Sequence, residues 1–218
     1  MTLTHHQLPA RSGQTRSLVV LLHGFGSNGQ AMLGLGRTLS TALPDTTFLA
    51  PDAPDAAPGR PGGRMWYTIP ELGGSSTEEA DLRLQASARQ LDAYLDDQLA
   101  AHGLPASAMA LLGFSQGAGM AYEVAPRRRD QLAGVIAIAG RMKRKDTLAT
   151  EARSTPPFLI LTGAEDHLLA TDEITQTADA LSAANIPALR VLMAGIAHTI
   201  SDEGINAVGE FLRHVLQQ

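Results

Sequence analysis

The apolar run Ala108-Met109-Ala110-Leu111-Leu112 passes into Gly113-Phe114-Ser115-Gln116-Gly117 and then into the helix-like Ala118-Gly119-Met120-Ala121-Tyr122-Glu123. A buried strand, a turn with glycine two residues either side of a serine, and a helix can be joined in few ways. Glycine at those two places removes Cβ atoms that would strike the neighbouring strand and helix as the chain reverses. The serine hydroxyl is then carried above the end of the strand. The helix that follows aims unpaired N–H groups and a partial positive charge at the same point, where an oxyanion can be held. Ser115 is thus the candidate nucleophile, and the Gln116 N–H is one candidate oxyanion donor. A glycine-rich turn with an incidental serine is the plain alternative. It is weakened by the strand before, the helix after, and the base and acid found downstream.

Similar apolar runs recur along the chain. Leu18-Val19-Val20-Leu21-Leu22 is apolar at every position, as a strand buried on both faces of a parallel sheet must be. It ends in His23-Gly24-Phe25-Gly26-Ser27-Asn28-Gly29, where the Phe25 N–H is the second candidate oxyanion donor and His23 reads as structural. Periodicity predicts a helix over 30–43, a strand over 46–50, a long irregular loop over 51–76 and a helix over 77–101. Leu84, Ala88, Leu91, Leu95 and Leu99 share one face of that helix. Arg127-Arg128-Arg129, near the end of the helix after Ser115, reads as a solvated face. Strands over 132–139, 158–162 and 189–193 follow, with helices over 171–184 and from a Ser201 or Asp202 cap to about 216. Such alternation predicts a mostly parallel central sheet with helices on both faces, in one domain spanning 1–218. The short segment between Gly140 and Pro157 leaves no room for a cap domain.

Composition narrows the partners. A net charge of −5 argues against nucleic acid, and no apolar run approaches the roughly 18 residues of a spanning helix. The start, Met1-Thr2-Leu3-Thr4-His5-His6-Gln7, lacks a basic-then-apolar leader, so the cytoplasm is the expected compartment. With no cysteine there is no disulfide and no cysteine nucleophile. No His, Asp and Glu cluster has ligand spacing, so no metal is expected.

Ser115, Asp166 and His198 each follow a predicted strand, where catalytic groups of open α/β sheets sit. His198 would take the Ser115 proton, and Asp166 would fix the imidazole and stabilise its cation. Glu165 and Asp172 are rivals for the acid; Asp166 is favoured by its place three residues past Gly163. His5, His6, His102 and His214 lie in an N-terminal arm or on helices, and His167 is too near the acid. In the 51–76 loop, Met65, Trp66 and Tyr67 are candidate substrate-binding residues, with Trp66 touching or bracing an acyl chain. Core packing is the competing role for Trp66. Arg141, Lys143, Arg144 and Lys145 follow a strand end; they are either a solvated run or a feature favouring anionic substrates.

Taken in order, Leu21-Leu22-His23-Gly24-Phe25-Gly26, Pro51-Asp52-Ala53-Pro54, Trp66-Tyr67, Gly113-Phe114-Ser115-Gln116-Gly117, Gly163-Ala164-Glu165-Asp166 and His198-Thr199-Ile200-Ser201 resemble the phospholipase/carboxylesterase family of small α/β-hydrolases. The resemblance covers nearly the whole chain after Ser17. It implies an α/β-hydrolase fold and cofactor-free hydrolysis of small-molecule carboxylic esters, lysophospholipids or acyl-protein thioesters, often by a homodimer. Thr68 stands where the family usually has Asp, and Thr162 where it commonly has His. An inactive hydrolase-fold binding protein is the reading from a different class, disfavoured because nothing in the triad is substituted.

Overall fold

The computed structural model describes residues 3–73, 75–169 and 171–217; Gly74 of the expected long loop, and Met1, Thr2, Ala170 and Gln218, lie outside them. The chain begins with β1 (His5–Leu8), β2 (Ser17–Leu22), α1 (Gly29–Leu39) and β3 (Thr46–Pro51). A ribbon of β4 (Asp55–Ala56) and β5 (Arg64–Met65) and the short α2 (Pro70–Gly73) lead to α3 (Thr77–His102). Next come β6 (Met109–Phe114), α4 (Gln116–Val124), β7 (Gly134–Ile138) and α5 (Lys145–Glu151). The chain ends with β8 (Phe158–Gly163), α6 (Thr171–Ala183), β9 (Ala188–Met193) and α7 (Asp202–Val215). Seven strands form one sheet in the order β1-β3-β2-β6-β7-β8-β9, parallel except where β1 meets β3.

The unbroken apolar runs have a physical reason. Leu18, Val20 and Leu22 of β2 point into one core layer, and Val19 and Leu21 into the other. β6 repeats this with Met109 and Leu111 against Ala110 and Leu112. A strand covered on both faces needs apolar side chains at every position. α1 and α7 cover one face through Leu33, Leu39, Val208, Phe211 and Leu212. α3 to α6 cover the other through Leu84, Leu91, Met120, Leu148 and Leu181. The expected sheet with helices on both faces is therefore the architecture found.

Local chemistry sets the helix ends. Asn28 caps α1 by accepting from Ala31 N–H, and Ser76 caps α3 by accepting from Glu79 N–H. Gly103 ends α3 in the left-handed region at φ 63°. Of the two candidate caps for α7, Ser201 takes the role, accepting from Gly204 N–H. α1 stops at Leu39, short of the expected residue 43, and Leu43 packs into the core instead.

Two expectations change. His5 and His6 lie not in a free arm but in β1, registered His5 to Pro51 and Leu8 to Phe48 of β3. His-His-Gln-Leu has no apolar period to announce a strand; the ladder with β3 makes it one. Arg127 and Arg128 are not a solvated face, since their side chains are only 16% and 5% exposed. Arg127 pairs with Glu123 and Glu151, while Arg128 ties α4's end to Asp92 and Asp96 of α3. Burial pushes the Glu123 carboxyl up despite the nearby Arg127 and Arg144 guanidinium groups.

Candidate active site

Ser115 joins β6 to α4 with φ 53° and ψ −114°, a backbone region that non-glycine residues rarely occupy. Its surroundings hold it there. Ser115 N–H donates to Ile138 O at 2.8 Å, and Ser115 O accepts from Ala118 and Gly119 N–H at 3.0 and 3.2 Å. A Cβ on Gly113 would sit 2.3 Å from Gly117 O, and one on Gly117 would sit 2.1 Å from Leu22 O. The two glycines thus let the turn close onto itself and onto the end of β2.

Asp166 and His198 follow β8 and β9. Their loops are laced together by Ala164 N–H to Met193 O and Glu165 N–H to Ile196 O, each 2.9 Å. A Cβ on Gly163 would meet Ile196 O at 2.2 Å, so glycine permits this close approach. The Asp166 side chain is wholly buried; its Oδ1 accepts from Leu168 N–H at 2.9 Å and its Oδ2 meets His198 Nδ1 at 2.8 Å. An ionised carboxylate only accepts, so Nδ1 carries the proton and Nε2 is left with its lone pair. Ser115 Oγ lies 2.9 Å from that Nε2, placed to donate to it. The rivals Glu165, His167 and Asp172 are all exposed.

The two candidate oxyanion donors come from different elements. The Gln116 N–H opens α4 and the Phe25 N–H lies in the loop after β2; neither meets a protein acceptor among the described residues. The Gln116 side chain has a separate task. Its Oε1 accepts from Trp66 N–H at 2.8 Å, and its Nε2 donates to Tyr67 O at 2.7 Å. Ser87 Oγ adds a bond to Trp66 O from α3.

Beside Ser115 and His198 opens a cavity of about 470 Å³, walled by Tyr67, Ile69, Leu72, Leu168 and Leu169. Of the three expected substrate-binding residues, only Tyr67 lines it. Trp66 is 0% exposed, and its Nε1–H donates to His23 O at 2.9 Å, which makes it core rather than wall. Met65 is likewise buried and absent from the lining. The chain turns inward at Trp66 because its backbone is fixed by Gln116 and Ser87, a constraint invisible in the loop's own sequence. Ile69, Leu72, Leu168 and Leu169 were not anticipated, since short apolar stretches outside the long strands and helices carry no periodic signal. Arg141 and Lys143 also border the cavity, and Arg141 pairs with Glu173 at 3.0 Å. Arg144 turns away, onto Glu123 and Glu151.

His23 is structural, as expected. Its Nε2 accepts from Ala53 N–H at 3.0 Å and its Nδ1 donates to Gly24 O at 2.8 Å, so the ring is neutral. Burial lowers its pKa below the ordinary value. Burial likewise raises the Tyr67 phenol well above its usual range, so Tyr67 stays protonated. No cluster of three His, Asp or Glu able to hold a metal occurs among the described residues, and none of their helices is long and apolar enough to cross a membrane.

A serine on a strand-to-helix elbow, facing a His–Asp pair at the carboxyl end of a mostly parallel sheet, defines the α/β-hydrolase class. The family model described as phospholipase/carboxylesterase matches residues 4–216, and the chain belongs to that family of ester hydrolases. It is similar to the crystal structure of esterase PE8, with 35% identity and a TM-score of 0.93 over 99% of this chain and 100% of that one. It is also similar to esterase YpfH of Escherichia coli, 24% identical over 97% of this chain and 88% of the relative. Acyl-protein thioesterase 1 of Yarrowia lipolytica is 26% identical over 76% of each chain.

Proposed function

We propose that this chain hydrolyses carboxylic esters of apolar acyl groups through a covalent acyl-enzyme on Ser115. One observation carries the reading. An unbroken hydrogen-bonded line runs from Asp166 through His198, at 2.8 and 2.9 Å, to a serine on a strained elbow beside an apolar cavity.

Ser115 Oγ attacks the ester carbonyl carbon as its proton passes to His198 Nε2. The carbonyl oxygen takes the displaced electron pair and lies against the Phe25 and Gln116 N–H groups. Asp166 stabilises the imidazolium formed in that step and keeps the ring in its tautomer. Collapse of the intermediate expels the alcohol, which leaves with the proton from Nε2. Water then gives its proton to the same nitrogen, attacks the acyl-serine, and releases the acid as Ser115 recovers its hydrogen. No metal or cofactor enters any step.

Tyr67, Ile69, Leu72, Leu168 and Leu169 hold the acyl chain, with Met65 and Trp66 behind them. Arg141 and Lys143 at the rim favour esters with an anionic group, of which lysophospholipids are one kind. The second reading is thioester hydrolysis, favoured by relatives named acyl-protein thioesterase. Oxygen and sulfur esters of one acyl group, compared by kcat/KM, separate the two. Ser115→Ala tests the mechanism itself. It should lower kcat by about 10⁴–10⁶ and abolish fluorophosphonate labelling while the fold persists. A variant keeping more than a few per cent of activity refutes the assignment.

A further inference from the structure

Gly119 lies inside α4, where the backbone is helical and no left-handed φ calls for glycine. Glycine inside a helix costs stability relative to alanine, because it has more freedom to lose on folding. The other glycines around Ser115 have their reason in the main chain. A Cβ on Gly113, Gly117 or Gly140 would come within 2.6 Å of a backbone oxygen. Gly119 differs from them. Its Cβ would stand 2.6 Å from the Tyr67 hydroxyl oxygen, with the Arg141 carbonyl oxygen at 3.1 Å and Tyr67 Cζ at 3.6 Å. The tip of the phenol thus occupies the place that an alanine methyl would take.

Tyr67 has one direction in which to yield. Its main chain is anchored, since Gln116 Nε2 donates to Tyr67 O at 2.7 Å and Gln116 Oε1 accepts from Trp66 N–H at 2.8 Å. The residue is 5% exposed, and the open space that it borders is the cavity beside Ser115 and His198. Non-bonded heavy atoms meet without repulsion at about 3.5 Å, so a methyl at 119 displaces the hydroxyl by about 0.9 Å. With the backbone held and the other sides packed, that movement carries the ring into the cavity.

We propose that Gly119 determines acyl-length specificity: the seat it leaves in α4 for the Tyr67 hydroxyl holds the phenol back and keeps the groove open to long acyl chains. This role rests on Ser115 being the nucleophile and on the cavity lined by Tyr67 being the acyl site. Gly119 touches no substrate. It is a positioning residue that acts through Tyr67. Gly113 and Gly117 serve the elbow whatever the substrate, whereas Gly119 answers to the side chain at 67. The stability given up by a glycine inside α4 is thereby tied to the size of the acyl group admitted.

A double-mutant cycle of Gly119→Ala and Tyr67→Phe tests this. The four full-length proteins are compared by kcat/KM on acetyl and octanoyl esters, per site titrated with a fluorophosphonate, with circular dichroism verifying the fold. A groove shortened by one to two methylenes loses about four- to fifteenfold of the octanoyl-over-acetyl ratio, and Gly119→Ala should show that fall. Removing the hydroxyl leaves the ring carbon at 3.6 Å, an ordinary contact. In the Tyr67→Phe background, Gly119→Ala should therefore change the ratio less than about twofold. A parental ratio in Gly119→Ala overturns the proposal. So does an equal fall in both backgrounds, because a distorted elbow or a shifted Arg141 carbonyl would lower the ratio whether or not the hydroxyl is present. If Gly119→Ala does not fold, the double variant should fold, and its failure overturns the proposal as well. A parent that neither hydrolyses the esters nor takes the fluorophosphonate refutes the role of Ser115, and this one with it. An active, labelled parent with an unmoved ratio in Gly119→Ala refutes the role of Gly119 alone.

Discussion

Replacing Trp66 by alanine separates a core residue from a substrate wall. The indole is wholly buried, and its Nε1–H satisfies the buried His23 carbonyl. The backbone on either side cannot follow the lost volume, because Gln116 holds Trp66 N–H and Tyr67 O while Ser87 holds Trp66 O. A site that cannot collapse keeps its cavity, which sets the loss at about 4–5 kcal/mol, toward the upper end for Trp→Ala. The orphaned carbonyl adds about 1 kcal/mol or more. For a chain of this length each kcal/mol lowers Tm by about 2–4 °C, so thermal unfolding should fall by roughly 10–20 °C. The same protein is assayed on acetyl to octanoyl esters, with active sites titrated by fluorophosphonate. Per folded site, the rise of kcat/KM with acyl length should persist, because Ile69, Leu72 and Leu168 remain. A Tm within about 2 °C of the parent together with a flattened acyl-length profile would refute the core assignment and return the indole to the groove.

Three further outcomes are expected. Leu72 and Leu168 are exposed at the rim, so Leu72→Ala and Leu168→Ala should leave Tm unchanged and lower the octanoyl-over-acetyl preference about three- to tenfold each; equal loss on both esters would remove these residues from the acyl site. Burial holds the His23 pKa below its unfolded value of about 6.5, so the stability it contributes is complete above that pH and is lost as pH falls through the folded value. Melting should therefore drop between pH 7.5 and 5, and by less in His23→Gln; His5 shifts in the same direction, so the comparison is made between these two proteins, and identical drops contradict it. For Lys143→Gln, the preference for an anionic over a neutral ester should shrink, as should its decline with salt over a Debye length of about 10 Å at 0.1 M; unchanged salt sensitivity would show that the rim cations do not steer the substrate.

The legible parts of this chain were those in which one local pattern has one physical cause. β2, β6, β7 and β8 carry unbroken apolar runs because both faces are covered, and the residues that follow β2, β6, β8 and β9 are the ones gathered around Ser115. Parts that depend on a distant partner were not legible. β1 is a strand only because β3 offers it a ladder, and Arg127 is half-buried only because Glu123, Glu151 and Thr147 surround it. Trp66 shows the same limit. A lone tryptophan among prolines and glycines suits a wall and a core plug equally, and the choice is made by Gln116, far along the chain.

That choice explains why Trp66-Tyr67 and Gly113-Phe114-Ser115-Gln116-Gly117 act as one device rather than two. Gln116 must accept from Trp66 N–H and donate to Tyr67 O at once, from a buried position next to Ser115. A carboxylate at 116 could accept but not donate, and would face the Tyr67 carbonyl with like charge. Asparagine is one methylene shorter and reaches neither group without moving α4. The residue whose backbone N–H is proposed to hold the oxyanion thus fixes, through its side chain, the backbone of Tyr67, whose side chain lines the cavity. The turn that strains Ser115 and the loop that shapes the groove are held at a single side chain.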